Sequence, residues 1–498
     1  MKALAKTLAW IALLTAIVWA ATIVYWSRTH RAITQADVVL YLVALPVVVV
    51  LGFFMLRWAW RRSGEKAAAQ ASASSATGAA ASPSVAANAA ADERRWSARV
   101  LAQWVRTAAG DDAAAVWTAV RDSEVRPRPD AELLDKDGHP LFTTRLDDVA
   151  LDSVRAELTD LPPPSNGTHP AEPAPRLVRS LSLLSPCADW LDTSLAVWAD
   201  ARTNLPTAPA LTVALCLPPL DEMRDDDTTE PPQQALARAW LAPQLGALQA
   251  FDPRQHRLLV QTAHSGADVL AWADLQLVQW QRDQRPGLLV LLVADSLIDE
   301  ASAARLARQG LLMSGRQPKG ATLGEAAVGL LLATPDWPAP SAHAPFELDH
   351  PPATLHRWAQ RVRSKSADDA GRVGPEVARD TLGDALQASA VPPDAVQAAV
   401  CDTDLRPSRT TEWYGAMLQH IGHLDAAQDV AALGVALGDC GIAQAALCVA
   451  LAAQRAATEQ QAVVAATVSA PLARGAVVLQ PAPTEADAAT SPALPLAA

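Results

Sequence analysis

Tyrosine and phenylalanine are scarce in this sequence, three and five in 498 residues. None of its five cysteines (Cys187, Cys216, Cys401, Cys440, Cys448) pairs with another at Cys-x-x-Cys spacing. No His/Cys group has the spacing of a zinc site either, so a structural metal or a dithiol redox centre is excluded as the organising feature. An odd set of unpaired cysteines fits free thiols in a reduced compartment. Lysine and arginine form no clusters beyond the N-terminal region, and the formal net charge is -12. A nucleic acid partner needs a basic face to neutralise phosphates, and there is none. Tryptophan, by contrast, is abundant, with sixteen residues. Pairs such as Trp96/Trp104 and Trp272/Trp280 have the spacing of packing positions on helices.

Half of the residues are hydrophobic, and the length accommodates a membrane anchor with one large domain or two smaller ones. Two charge-free runs, 8–26 and 38–56, are each long enough to cross the roughly 30 Å hydrocarbon layer as a helix. Pro46 and Gly52 are tolerable in such a span. A short loop separates the runs, which predicts a transmembrane hairpin over 1–62. Lys2 and Lys6 precede the first span, Arg57, Arg61, Arg62 and Lys66 follow the second, and only Arg28 and Arg31 lie between. This bias puts both termini in the cytoplasm of a bacterial inner-membrane, multi-pass protein. Trp10, Trp19, Trp26, Trp58 and Trp60 suit the interfacial belts.

After the hairpin, 63–92 is an Ala/Ser-rich linker without core-forming residues. The stretch 93–177 reads as an N-terminal helix-and-loop extension. Its segment "ERRWSARVLAQWVRTAAG" has apolar residues at helical spacing, Asp137-Gly138 marks a turn before a short strand, and 161–176 is a Pro-rich connector. From there strands and helices alternate. Strands are expected at 209–219, 256–264, 287–297 and 324–333, the last two as continuous apolar runs buried on both faces. Helices are expected in "GADVLAWADLQLVQWQRDQ" and "DEASAARLARQGLL". A second series from about 355 includes "AVQAAVCDTDL", the helix "TTEWYGAMLQHI", the Gly-x-x-Gly entry "LGDCGIAQAALCVALAA" and a strand at 474–482. The tail, 483–498, has no core-forming pattern. This order predicts an α/β architecture of two similar halves, 178–340 and 341–482.

The same residues resemble the β-ketoacyl synthase branch of the thiolase-like superfamily. Asp295-Ser296-Leu297 closes one strand, and Gly324-Glu325 opens the next, where the family has a Gly-Glu-Gly/Ala-Ala strand. "CDTDLRPSRTTE" runs from Cys401 to Glu412, the spacing between the His of the family's His-Gly-Thr-x-Thr loop and a later Glu. "GDCGIAQAA" from Gly438 is similar to the Gly-His-x-x-Gly-Ala-Ala helix entry. Of the family's closing glycine-rich loop, near 469–479, only Gly475 and the strand remain. The likeness covers roughly 178–482 and implies a layered αβαβα fold.

In condensing enzymes a Cys at a helix start attacks the acyl thioester and two histidines activate the extender and stabilise the oxyanion. The resemblance places the nucleophile within "TAHSGAD", at Ser265 to Ala267. It puts Cys401 at the first histidine position and Asp439 at the second, while an apolar stretch, 432–437, replaces the usual lysine. Gly324, Glu325, Glu412 and Gly438 remain as fold markers, and no catalytic residue is expected.

Each degenerate position has a plain and a chemical reading. Ser265 is a helix N-cap beside His264, or an alternative nucleophile. Cys401 is a structural thiol whose neighbours Asp402 and Asp404 oppose thiolate formation, or a reactive one. Asp439 is a helix cap, or a catalytic carboxylate. His420 and His423 read as helix-end residues rather than metal ligands, and Asp225-Asp226-Asp227 as a solvated loop. No cofactor or metal is expected. The resemblance implies a homodimer, or a heterodimer with another thiolase-like chain, built through the strand beside the nucleophile. The functional expectation is a non-catalytic, membrane-anchored scaffold or adaptor. Degenerate proteins of this kind accompany type VI secretion genes, which makes a secretion accessory its specific form. The alternatives are an acyl- or lipid-binding module and a divergent acyl-processing condensing enzyme.

Overall fold

A computed structural model describes residues 92–161, 172–202, 205, 209–220, 231–248, 256–315, 317–338, 351–369, 371 and 373–483. The predicted spans 8–26 and 38–56 lie outside the described residues. So do the Ala/Ser linker and the tail, apart from residues 92 and 483, and the Asp225–Asp227 run. Among the described residues no helix is long and apolar enough to cross a membrane.

One strand plan occurs twice. The first half supplies, in chain order, β1 (Ser97–Thr107), β4 (Ala210–Leu217), β5 (Arg257–Thr262), β6 (Gly287–Ser296) and β7 (Leu323–Ala333). They lie side by side as β5-β4-β6-β7-β1. The second half supplies β8 (Ala353–His356), β10 (Val396–Cys401), β11 (Val430–Ala432), β12 (Ala462–Thr467) and β13 (Ala473–Pro481), arranged β11-β10-β12-β13-β8. Numbered within its half, each order reads 3-2-4-5-1. In both halves the fifth strand runs antiparallel to its neighbours, β7 beside β6 and β13 beside β12. The first strands of the halves, β1 and β8, pair antiparallel from Ser97↔His356 to Val100↔Ala353 and join everything into one mixed sheet. A hairpin of β2 (Arg128–Leu134) and β3 (Pro140–Thr144) attaches to β7, and β9 (Ala359–Val362) attaches to β13.

Side-chain parity explains the layers, because alternate residues of a strand face opposite sides. Leu289, Leu291 and Val293 of β6 pack on α6 (Gly266–Arg282) and α11 (Ala443–Glu459), as do Val463 and Ala465 of β12. Leu288, Val290 and Leu292 face α3 (Pro175–Leu184), α4 (Ala188–Arg202) and α5 (Pro232–Gly246). Val464 and Ala466 face α8 (Glu376–Ser389) and α9 (Pro407–His420). The fold is therefore α/β/α/β/α, with α6 and α11 sandwiched in the middle. That position explains why α11 is so rich in alanine: fourteen of its seventeen residues are buried, and small side chains let both halves of the sheet and α6 approach at once. The remaining helices are α1 (Ala113–Arg121), α2 (Leu151–Thr159), α7 (Glu300–Arg308) and the single turn α10 (Leu433–Leu437).

The first strand corrects the sequence reading. Residues 97–107, expected as part of an amphipathic helix in an N-terminal extension, form β1 at the junction of the two halves. The cause is a β-bulge between Val100 and Ala102. Before it, Ala98 and Val100 face α11; beyond it the parity flips, and Val105 faces α11 while Leu101, Ala102 and Trp104 face the other side. A strand whose alternation slips by one residue spaces its apolar positions like a helix. The extension 93–177 is thus no appendage, since β1, α1 and the β2–β3 hairpin all pack into this body.

Candidate functional site

The starts of the two central helices meet. The polypeptide enters α11 through Gly438 (φ +69°) and Gly441 (φ +58°), both in the left-handed region that glycine alone enters freely. A Cβ on Gly441 would stand 1.9 Å from Asp295 Oδ2, so glycine is required there twice over. Asp295, at the end of β6, is fully buried and accepts the Ile442 N–H at 3.0 Å. Arg176 of α3 grips the same carboxylate with two bonds of 2.8 Å. At the start of α6, Gly266 lies against Ile442 and Ala445. Sequence-predicted Ser265, Asp439, Gly438, Gly324 and Glu325 all border this junction.

Ser265 is the N-cap of α6. It accepts the Asp268 N–H at 3.3 Å and donates its hydroxyl to Asp268 Oδ2 at 2.8 Å. His264 beside it is exposed and no hydrogen bond joins the pair among the described residues. Asp439 does not cap α11, contrary to the sequence reading: the N-cap is Ile442, and Asp439 Oδ1 instead accepts the Gly441 N–H at 3.0 Å. Its backbone is stitched to the start of β7, accepting from Gly324 N at 3.0 Å and donating to Thr322 O at 2.9 Å. Gly324 is held tightly, because a Cβ there would meet Leu437 O at 2.1 Å and Cys440 Sγ at 3.0 Å. Glu325, 1% exposed, accepts from Arg179 at 2.5 and 2.7 Å, from Leu146 N at 2.7 Å and from Ser296 Oγ at 2.9 Å.

Cys401 ends β10, wholly buried. Burial first, and the neighbouring Asp402 second, push its thiol well above the usual range. Cys440 is raised likewise, by burial and then by Asp439, Glu325 and Asp295. Neither thiol is poised to ionise. Asp402, moved by burial up to about 6 against the pull of its hydrogen bonds, accepts Val468 N at 2.5 Å, Ser469 N at 3.0 Å and Ser469 Oγ at 2.6 Å. It ties the 401–406 loop to the turn between β12 and β13. Glu412 lies apart from the junction, clamped by Arg474 at 3.0 and 2.5 Å and by Arg363. It fixes α9 to β13 and to the segment that follows β9.

Between Asp439 and Cys401 lie groups that sequence reasoning passed over. Arg406 binds Asp404 at 2.6 Å, with Asp368 at 3.7 Å and Asp439 at 3.9 Å. Arg409, entirely buried, binds Asp368 at 2.7 Å and Ser469 O at 3.0 Å. Buried guanidinium and carboxylate groups are costly to desolvate and persist only when paired, as each of these is. One sequence signal was available: Arg176 and Arg179 share one face of an otherwise buried helix. His420 and His423 each donate Nε2–H to a main-chain carbonyl, of Arg379 at 3.0 Å and Val396 at 2.7 Å. Among the described residues no group of His, Cys, Asp and Glu is arranged to hold a metal.

This architecture has solved counterparts. The ketosynthase from module 6 of the bacillaene synthase of Bacillus subtilis 168 superposes with a TM-score of 0.52 at 11% identity, covering 78% of this chain and 72% of its own. A ketosynthase domain of oxazolomycin biosynthesis from Streptomyces albus JA3453 gives 0.50 at 14% identity, covering 80% and 76%. No protein-family model and no curated protein matches the sequence. The chain has the fold of ketosynthase domains, a mixed, layered α/β fold.

Proposed function

We propose that this chain is a ketosynthase-fold protein without acyl-transfer activity, acting as a scaffold or adaptor. One observation supports the reading: the three positions where the resemblance places the Cys, His and His of a condensing enzyme hold Ser265, Cys401 and Asp439. Ser265 is engaged as a helix cap, Cys401 is a buried thiol held protonated by its surroundings, and Asp439 is spent on the turn before α11. Removing chemistry while keeping the buried ion pairs that hold the helix entries preserves a surface, and a surface is what an adaptor needs. The apolar runs 8–26 and 38–56 would anchor it as a multi-pass protein in a bacterial inner membrane with both termini cytoplasmic. An accessory role in type VI secretion is the specific form of this reading. The partner would be a second copy or another chain of the same fold, added at the edge of β5, which among the described residues ends the strand order.

The test is carbon dioxide release from a malonyl thioester by the full chain in detergent, with organic extraction of the same preparation. Release at the buffer rate with no extracted lipid is the expected result. Sustained release would replace the proposal with a divergent condensing enzyme, and stoichiometric bound fatty acid would replace it with an acyl-binding module.

A further inference from the structure

A second feature of the fold uses none of these residues. Pairing between β1 and β8 stops at Val100↔Ala353, and among the described residues the second edge of β1 has no partner strand beyond it. A cavity of about 320 Å³ opens there, lined by Trp104, Trp190, Asp111, Asp112, Asp189 and Thr193 among others. Its aromatic wall is built by a glycine. Trp104 of β1 lies directly across from Gly329 of β7, and the Trp190 ring occupies the space that a Gly329 side chain would take, within 2.6 Å of an added Cβ. The two indoles therefore sit over neighbouring positions of the same strand pair. Among the described residues the buried Trp190 Nε1 has no acceptor.

The rim has one sign of charge. Asp111, Asp112 and Asp189 are exposed, and among the described residues no lysine or arginine lines the cavity. Asp112 spends one oxygen on capping α1, accepting Ala115 N–H at 2.8 Å. Among the described residues Asp111 and Asp189 have no ion-pair partner. We infer that this cavity binds a small organic cation of the alkylammonium class. Its volume lies in the range of small-molecule sites, indole faces attract cations, and three carboxylates on low-dielectric walls concentrate positive charge. An anion would be repelled, and a neutral apolar ligand would gain nothing from the rim.

Equilibrium dialysis of the full chain in detergent against choline, with its neutral isostere 3,3-dimethylbutanol as comparison, tests this. Choline is expected to bind saturably and at least about tenfold more tightly than the alcohol. The Asp111→Asn/Asp189→Asn variant, changed only at exposed positions, should weaken choline roughly tenfold and leave the alcohol unchanged. Gly329→Ala, which displaces Trp190, should weaken both. Equal binding of choline and the alcohol, undiminished choline binding in the Asp double variant, or no saturable choline binding would each overturn the inference.

Discussion

Replacing Glu325 with alanine removes the acceptor at the centre of the first half. Arg179, whose side chain is 9% exposed, would be left as an unpaired buried charge, at a cost of about 3–5 kcal/mol. The Leu146 N–H, which Glu325 also accepts, would lose its partner for roughly 1–3 kcal/mol more. Together these approach half of the stability of an ordinary domain, about 5–15 kcal/mol. Urea unfolding of the full chain in detergent, followed by tryptophan fluorescence, should therefore show a midpoint lowered by a third or more. The Arg179→Leu/Glu325→Leu variant should recover much of the loss, because removing both charges avoids the orphaned one. Arg121→Ala, at a pair on the surface, should leave the midpoint unchanged. A loss under about 1 kcal/mol for Glu325→Ala would refute the reasoning that buried ion pairs hold these helices to the sheet.

Gly441→Ala should destabilise the fold by at least about 2 kcal/mol, combining left-handed strain with collision at Asp295; a thermal midpoint equal to wild type would contradict the geometry. Asp402 is raised from its ordinary 3.8 to about 6, so between those values the folded chain holds more protons than the unfolded one. Its contribution to stability therefore falls as pH rises from about 4 to about 6. Urea midpoints at several pH values should show that slope flattened in Asp402→Asn, and an unchanged slope would refute it. All five cysteines are buried; a thiol reagent should label none in the folded chain and all five in denaturant, and rapid labelling of Cys401 in the native state would contradict its placement.

How much was legible depended on the range of the interaction that decides each element. β6 and β7 stood out because both faces are buried along their whole length, leaving continuous apolar runs. The helix after Gly441 was readable from its small residues and its glycine turn. β1 was not, because a single bulge changed its apparent period. The candidate site was half visible. Positions such as Ser265, Cys401 and Asp439 could be placed by motif spacing, and Asp295 by the strand it closes. Their partners could not: Arg176 reaches Asp295 across 119 residues and Arg179 reaches Glu325 across 146. Pairing over such separations follows from the layered topology and leaves no local pattern in the sequence.

We propose that no group in this site accepts an acyl chain. Intact-mass spectrometry of the full chain, before and after incubation with acyl-CoA and acyl-carrier-protein thioesters, tests it most directly. An unmodified mass is expected under every condition. A mass increase of one acyl group, mapping to Ser265 or Cys401, would contradict it and restore the junction as a working acyl-transfer centre.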